Sequence, residues 1–66
     1  MKEFFVIVKI HFTYDNTMTS YYCGDGNWTY NIYNAIFYPY RIDAEVKIKE
    51  LSEGLYKIEP YYKIDK

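Results

Sequence analysis

Residues 4–14 alternate between two sets of side chains. One set is apolar or aromatic throughout: Phe4, Val6, Val8, Ile10, Phe12 and Tyr14. The other set begins apolar and turns polar: Phe5, Ile7, Lys9, His11 and Thr13. Successive side chains of a strand point to opposite faces, so this period of two predicts a strand. The change along the second set predicts a central strand whose far end is exposed.

Two turns and a second strand follow. Asp15 and Asn16, within YDNT, tolerate turn geometry, and MTSYYC after them is typical of a strand, so a hairpin is predicted. The sharpest break is GDGN, where Gly24 and Gly26 are free to adopt positive φ, and we expect a tight turn there. Residues 28–34 are interpreted as an ordered loop or a single helical turn, and AIFY as a third short strand.

Residues 41–51 fit two patterns. A strand would place on one face Ile42, Ala44, Val46 and Ile48. A helix would place on one face Tyr40, Ala44, Ile48 (or Lys47) and Leu51. Glu45 and Lys49 have the favourable i, i+4 spacing, and Gly54 is well placed to end a helix. We favour the helix and leave the strand open.

The chain closes with LYKIEPYYKI, a predicted strand in which Pro60 lacks an N–H and therefore indicates a sheet edge or a bulge. The pattern predicts one domain over residues 1–66 of the α+β class. Its sheet is small and antiparallel, with three to four strands and one helix packed on it, in the order β-β-(β)-α-β. The side chains expected to fill the core between sheet and helix are Phe4, Phe12, Trp28, Phe37, Tyr56 and Ile58.

Composition narrows the classes of function. A chain of 66 residues buries only about 60% of its unfolded surface. Its single cysteine, Cys23, allows no internal disulfide and fits a reducing compartment. The net charge of −1 argues against a duplex DNA binder, which needs a basic footprint. No apolar run is long enough for a membrane helix and no signal peptide is recognisable, so we expect a cytoplasmic protein without membrane contact.

No residue pattern indicates catalysis. His11 is the only histidine, and zinc needs three or four ligands. Cys23 has no basic neighbour in the sequence that would activate its thiol. None of the nine carboxylates lies in an obviously apolar setting that would suit acid–base work. We therefore expect no enzyme, no metal site and no cofactor.

The ten tyrosines exceed what so small a core can hold. Tyr21 and Tyr22 are neighbours in a strand and point to opposite faces, so at least one faces outward unless both faces are covered. Surfaces rich in tyrosine are typical of protein recognition, because the ring gives a large contact area at little cost in rotamer entropy. The predicted partner-binding residues are Tyr30, Tyr33, Tyr38, Tyr40, Tyr21, Tyr61, Trp28 and Arg41.

Two alternatives remain open. The rings could stack on bases, which would make the chain a nucleotide-signal or single-stranded nucleic-acid binding module. Only Arg41, Lys47 and Lys49 lie near the rings and acids separate them, so nucleic acid is not the expected partner. The second alternative is a structural homo-oligomer whose tyrosines bury one another, and a homodimer is left open on this ground.

Four segments, FFVIVKI, YYCGDGNWTYNIYNAIFY, AEVKIKEL and YKIEP, together resemble short phage and prophage accessory proteins of the anti-CRISPR and anti-defence type. The matching positions are Trp28, Ala35, Phe37, Ala44, Ile48, Leu51, Ile58 and Pro60. The chain departs from that pattern at PYR, where a capping residue would be expected. The resemblance implies a phage-derived inhibitor that binds a host defence protein, such as a CRISPR effector complex, in the cytoplasm of the bacterial host. It carries over no catalytic residues.

Overall fold

A computed structural model describes residues 1–64 and has an α+β fold, in which one helix packs on a four-stranded antiparallel sheet. The elements are β1 (Lys2–Phe12), β2 (Thr17–Gly24), β3 (Asn27–Thr29), a 3₁₀ turn (Ile32–Asn34), α1 (Arg41–Glu50) and β4 (Leu55–Lys63). The strand order is β3-β2-β1-β4, and each pair of neighbours is antiparallel. The predicted fold class is confirmed.

β1 lies inside the sheet and is buried on both faces. On one face, which we call the helix face, Ile7 packs with Tyr22 and with Ala44 of α1. On the other, which we call the loop face, Val6 and Val8 pack with residues of the chain between β3 and α1. A continuous apolar run is typical of a strand covered on both sides. Because both faces are covered, the neighbouring rings of Tyr21 and Tyr22 both pack inside the molecule.

The sheet forks between β1 and β2. β2 pairs with β1 over residues 17–21. From Tyr22 onward it pairs only with β3, which lies on its other side. Residues 36–38 fill the fork: Phe5 and Tyr38 exchange two backbone hydrogen bonds of 2.8 and 2.9 Å, and the Ile36 N–H donates to the Tyr22 carbonyl at 2.9 Å. The side chains of this stretch go to alternate faces, Phe37 to the loop face and Tyr38 to the helix face. The chain therefore passes from one face of the sheet to the other through the fork.

The prediction that AIFY is a strand is wrong. Within it only Tyr38 forms a bridge, with Phe5, and the third strand is Asn27–Thr29. The turn at residues 24–26 reverses the chain at once, so that Trp28 pairs with Tyr22. The alternation of AIFY reflects an extended segment that lies between two strands without a ladder of its own.

The helical interpretation of residues 41–51 is confirmed, with α1 ending at Glu50. Ala44 is fully buried on the helix face, where Ile48 and Leu51 pack beside it. Tyr40 was expected on this inner face but is the N-cap residue and is exposed. The inner face therefore begins with Ala44, one turn later than predicted.

β4 is an edge strand, as Pro60 indicated. The predicted core needs two corrections. Phe12 is 69% exposed, because it stands near the tip of the β1–β2 hairpin. Phe4 and Phe37 pack against each other with ring centroids 6.2 Å apart, but they lie on the loop face and not under the helix.

Candidate functional site

Residues 30–40, which we call the crossover segment, display three tyrosine side chains. The exposed fractions of Tyr30, Tyr33 and Tyr40 are 69%, 75% and 67%. Between these rings, Ile32 and Ala35 point inward and pack on the loop-face core. The inward positions of the segment are thus taken by other apolar side chains, which leaves the three phenols in solvent.

Hydrogen bonds hold the backbone of the crossover segment. The Asn31 side chain accepts the N–H of Tyr33 at 3.0 Å, and the Thr29 hydroxyl accepts the N–H of Asn31 at 3.1 Å. Such bonds from side chain to backbone fix a local turn. Further along, Tyr38 is tied to β1 by its two bonds to Phe5. The exposed rings therefore stand on a backbone that is held along its length.

Four other predicted site residues pack inside the chain. They are Tyr38 and Trp28 on the helix face, and Tyr21 and Tyr61 on the loop face. Each is half-buried. Burial raises the pKa of the Tyr38 hydroxyl, an effect that the positive charge of Lys47 opposes. These four side chains have a packing role, and the partner contacts predicted for them stay a prediction.

Arg41, the remaining predicted residue, is exposed and adjoins Tyr40. Its Nε lies 3.7 Å from a carboxylate oxygen of Glu45, one turn along α1, and about half of each side chain is exposed. Exposed pairs of this kind contribute little to stability, so the guanidinium can exchange Glu45 for an acidic group of a partner at small cost.

A cleft of about 280 Å³ opens on the helix face, between the end of α1 and the β2–β3 turn. Aromatic rings form much of its wall. Trp28 stacks on Tyr56 with centroids 5.7 Å apart, and Tyr22 meets Trp28 edge-on at 5.3 Å. The rest of the lining is Gly26, Lys47, Glu50, Leu51 and Ser52.

Polar contacts fix the walls of this aromatic cleft. The Tyr22 hydroxyl accepts the N–H of Gly26 at 3.4 Å, and the Tyr56 hydroxyl donates to the Ser52 carbonyl. Lys47 donates to Glu50 at 3.0 Å on the rim, and this hydrogen bond raises the pKa of Lys47. The two rim charges neutralise each other, and a ligand would meet both aromatic rings and polar groups.

This cleft was not predicted from the sequence, because the predicted site residues did not include Tyr22, Tyr56 and Glu50. One signal was present: a tight turn at GDGN places Tyr22 and Trp28 on one face of a hairpin, as observed. Tyr56 joins them only through the pairing of β4 with β1, where it lies opposite Lys9. No local pattern in the sequence encodes that long-range contact.

The two other reactive side chains lie outside both candidate sites. His11 Nε2 is 2.9 Å from the hydroxyl oxygen of Ser20, and the thiol of Cys23 is half-buried. Residues 1–64 contain no group of three or more histidine, cysteine or acidic side chains placed to hold a metal ion. In the same residues, no helix has the length and apolar character needed to cross a membrane.

Comparison with known proteins found no match to this chain among protein-family models, curated proteins or solved structures.

Proposed function

We propose that the protein is a non-catalytic inhibitor that docks on a partner protein through the crossover segment. Tyr30 and Tyr33 anchor the contact before the fork, on the loop-face side, and Tyr40 with Arg41 extends it after the fork, at the start of α1. In line with the resemblance to phage accessory proteins, the partner is a host defence protein such as a CRISPR effector complex. The encounter takes place in the cytoplasm of the bacterial host.

The observation that supports this proposal is the display of three mostly exposed phenols on a fixed backbone. Each ring offers a large, rigid contact surface and a hydroxyl that can place a hydrogen bond. A backbone that is already ordered loses less entropy on docking, which leaves more of the contact energy as affinity. This combination favours protein recognition over a purely structural role for the segment.

The test begins with the tagged protein expressed in a bacterial host, from which the partner is purified and identified. The affinity of that purified partner is then measured for the wild type and for the Y30A/Y33A/Y40A variant. We expect binding to weaken at least about 100-fold, since interface tyrosines often contribute about 2 kcal/mol or more each. Inhibition of the partner's activity should be lost in parallel.

Tyr14→Ala is the matched control, because Tyr14 is a fully exposed tyrosine in the β1–β2 turn, outside the crossover segment. Its affinity should equal that of the wild type. Circular dichroism and urea unfolding must show that both variants keep the native fold. If the folded triple variant binds as tightly as the control, the docking surface lies elsewhere and the proposal fails.

The aromatic cleft favours a second candidate function, the binding of a small flat ligand such as a nucleotide base. Trp28 is the only tryptophan of the chain, so its fluorescence reports on the cleft directly. Titration with mononucleotides and cyclic nucleotides should quench it, and Glu50→Lys should tighten the binding of these anions. Unchanged fluorescence up to millimolar nucleotide would rule this function out.

A further inference from the structure

β4 forms an open edge of the sheet in the part of the chain that the structure describes. It runs from Leu55 to Lys63, and β1 is its neighbour on one side. The edge of a sheet carries unpaired N–H and C=O groups, which can template another strand. The opposite edge is divided between β3, which has only three residues, and residues 17–20 of β2, which β3 does not cover. The longer edge is thus the one able to support a second chain.

The pairing of β1 identifies the backbone groups that β4 directs outward. Phe5 points its N–H and its C=O toward Tyr38, away from β4. Pro60 lies opposite Phe5, so these two form a non-hydrogen-bonded pair and the backbone nitrogen of Pro60 faces the open edge. The missing N–H therefore costs no bond inside the sheet. Backbone groups alternate in direction along a strand, so the residues whose backbone polar groups point to the open edge are Tyr56, Ile58, Pro60 and Tyr62.

We propose that two copies of the chain join edge to edge, with β4 antiparallel to β4, about a two-fold axis at Ile58. The two sheets become one continuous sheet, and both helices lie on the same side of it. Ile58 of each copy exchanges both backbone hydrogen bonds with Ile58 of the other. Tyr56 donates its N–H to the carbonyl of Pro60 in the second copy, so each proline accepts a bond although it cannot donate one.

The charges on β4 select this register. About Ile58, Lys57 lies opposite Glu59 of the second copy, and Glu59 lies opposite Lys57. Within one chain the same two side chains are 3.4 Å apart and about half exposed. The dimer therefore closes a ring of four alternating charges, and cross-strand pairs of opposite sign are stabilising. A slip that centred the axis on Lys57 would face lysine with lysine, and one centred on Glu59 would face glutamate with glutamate.

The uncharged side chains fit the same register. Tyr56 lies opposite Pro60 of the second copy on the helix face. Leu55, which is 54% exposed in the single chain, lies opposite Tyr61 on the loop face. Aromatic and aliphatic pairs across a strand junction are among the favourable ones. Each pair from Leu55 to Tyr61 is thus matched in polarity or in charge.

This dimer closes on itself and leaves Tyr30 of each copy free. A two-fold interface uses the β4 edge of both copies, so the contact is closed and adds no third copy through β4. Tyr30 follows β3, at the far side of each subunit from the junction. The dimer therefore presents two crossover segments, which would raise the avidity for a partner that is itself repeated.

The test uses charge reversal with complementation. Sedimentation equilibrium from micromolar to millimolar chain should show the wild type passing from one chain mass to two. Lys57→Glu and Glu59→Lys should each weaken dimerisation at least about tenfold, because like charges then face each other at two positions. An equimolar mixture of the two variants should dimerise again, since every pair is opposite in sign. The double variant K57E/E59K should behave as the wild type.

Circular dichroism is the fold control for each variant. Because the side chains of Lys57 and Glu59 are about half exposed, the variants should stay folded. A wild type that stays at one chain mass throughout the range overturns the proposal. Dimerisation of either single variant at wild-type strength would also overturn it, as would a mixture that shows no rescue, because the interface would then not be the β4 edge in this register.

Discussion

The turn between β2 and β3 has three consecutive residues with positive φ. The values are 105° for Gly24, 53° for Asp25 and 75° for Gly26. Aspartate tolerates the left-handed region near 57°, because its short side chain can hydrogen-bond locally. A φ of 105° lies well beyond that region, where only glycine is unstrained. Gly24 is therefore the most demanding position of the turn.

We predict different costs for alanine at the two glycines. At Gly24 the new Cβ would meet Ile36 Cδ1 at 3.2 Å, whereas at Gly26 no atom lies within 4 Å. Gly26→Ala should lower the free energy of unfolding by about 1 kcal/mol, the usual cost of a left-handed alanine. Gly24→Ala should lower it by about 2–3 kcal/mol. Urea denaturation measures both, and equal losses would contradict the ranking.

Tyr38 gives the fold a dependence on alkaline pH. Burial raises the pKa of its hydroxyl above the ordinary value of 10.0, and Lys47 opposes this shift. The folded state prefers the neutral phenol. The contribution of Tyr38 to stability is therefore fully present below the pKa that its hydroxyl has in the unfolded chain, and it is lost as the pH rises through the higher pKa of the folded state. Tyr38→Phe should therefore lose less stability than the wild type on going to strongly alkaline pH.

The measurement is the urea midpoint at about pH 9 and at about pH 11, on either side of the ordinary tyrosine pKa. Tyr14→Phe is the control, because the side chain of Tyr14 is fully exposed. An alkaline loss of the same size in Tyr38→Phe and in the control would show that Tyr38 is not responsible.

At the scale of elements, α1 begins without a capping side chain. Its N-cap, Tyr40, has an extended backbone with φ −126° and ψ 136°, the geometry that a capping residue adopts, but makes no side-chain cap bond. Good capping residues satisfy one of the free N–H groups of the first turn. A tyrosine at this position is weak for the helix, and its exposure suits the docking role proposed for it.

Tyr40→Asn should therefore separate stability from binding. Asparagine can cap the first turn without adding a charge near Asp43, so the free energy of unfolding should rise by about 0.5–1 kcal/mol. Affinity for the partner should fall, because an anchoring ring is lost. Tyr33→Asn is the matched control, since it removes an exposed ring away from the helix and should weaken binding without stabilising the fold. A destabilised Tyr40→Asn would contradict the capping argument.

The sequence was informative about most elements and uninformative about two. The period of two in β1 and the turn residues after it were sufficient to predict the first hairpin. The strand-like alternation in α1 arises because Ile42 and Val46 lie on its outer face, both exposed, while Ala44 faces the sheet. β3 could not be predicted from its three residues, because its pairing depends on the geometry of the turn before it. AIFY has a strand pattern, but within it only Tyr38 bridges to β1.

The whole molecule is elongated and has two thin cores. Its extents are 42 × 24 × 17 Å, and its radius of gyration of 12.2 Å exceeds the roughly 11 Å of a compact chain of this length. The fully buried side chains on β1 are Val6, Ile7 and Val8. The tip of the β1–β2 hairpin is exposed, including Phe12 and Tyr14. Stability should therefore be concentrated in the middle of β1 and fall toward the hairpin tip.

Amide hydrogen exchange measured by NMR tests this gradient. We expect the slowest exchange at Val6, Ile7 and Val8, at rates set by global unfolding. Residues 13–16 should exchange fastest, since a single backbone bond from Thr13 to Asn16 crosses that turn. Uniform protection along the hairpin would mean that its tip is held by contacts outside the single chain.

The candidate site could be predicted only in part. The excess of tyrosine indicated that some rings would be exposed, and five are: Tyr14, Tyr30, Tyr33, Tyr40 and Tyr62. Which ones could not be read from spacing, because Tyr38 turns inward where the chain passes through the fork between β1 and β2. Tyr21 and Tyr61 are half-buried because both faces of the sheet are covered, and that cover is a tertiary property.

The position of β1 between β2 and β4 has a practical consequence. β1, the first strand, takes more than half of its pairing from β4, the last one, and exposed residues 52–54 connect β4 to the rest of the chain. Opening the chain in this connection would yield a large fragment and a short peptide that regain the native shape only when they meet. The molecule could therefore serve as a split reporter, in which the signal would be the renewed pairing of β4 with β1.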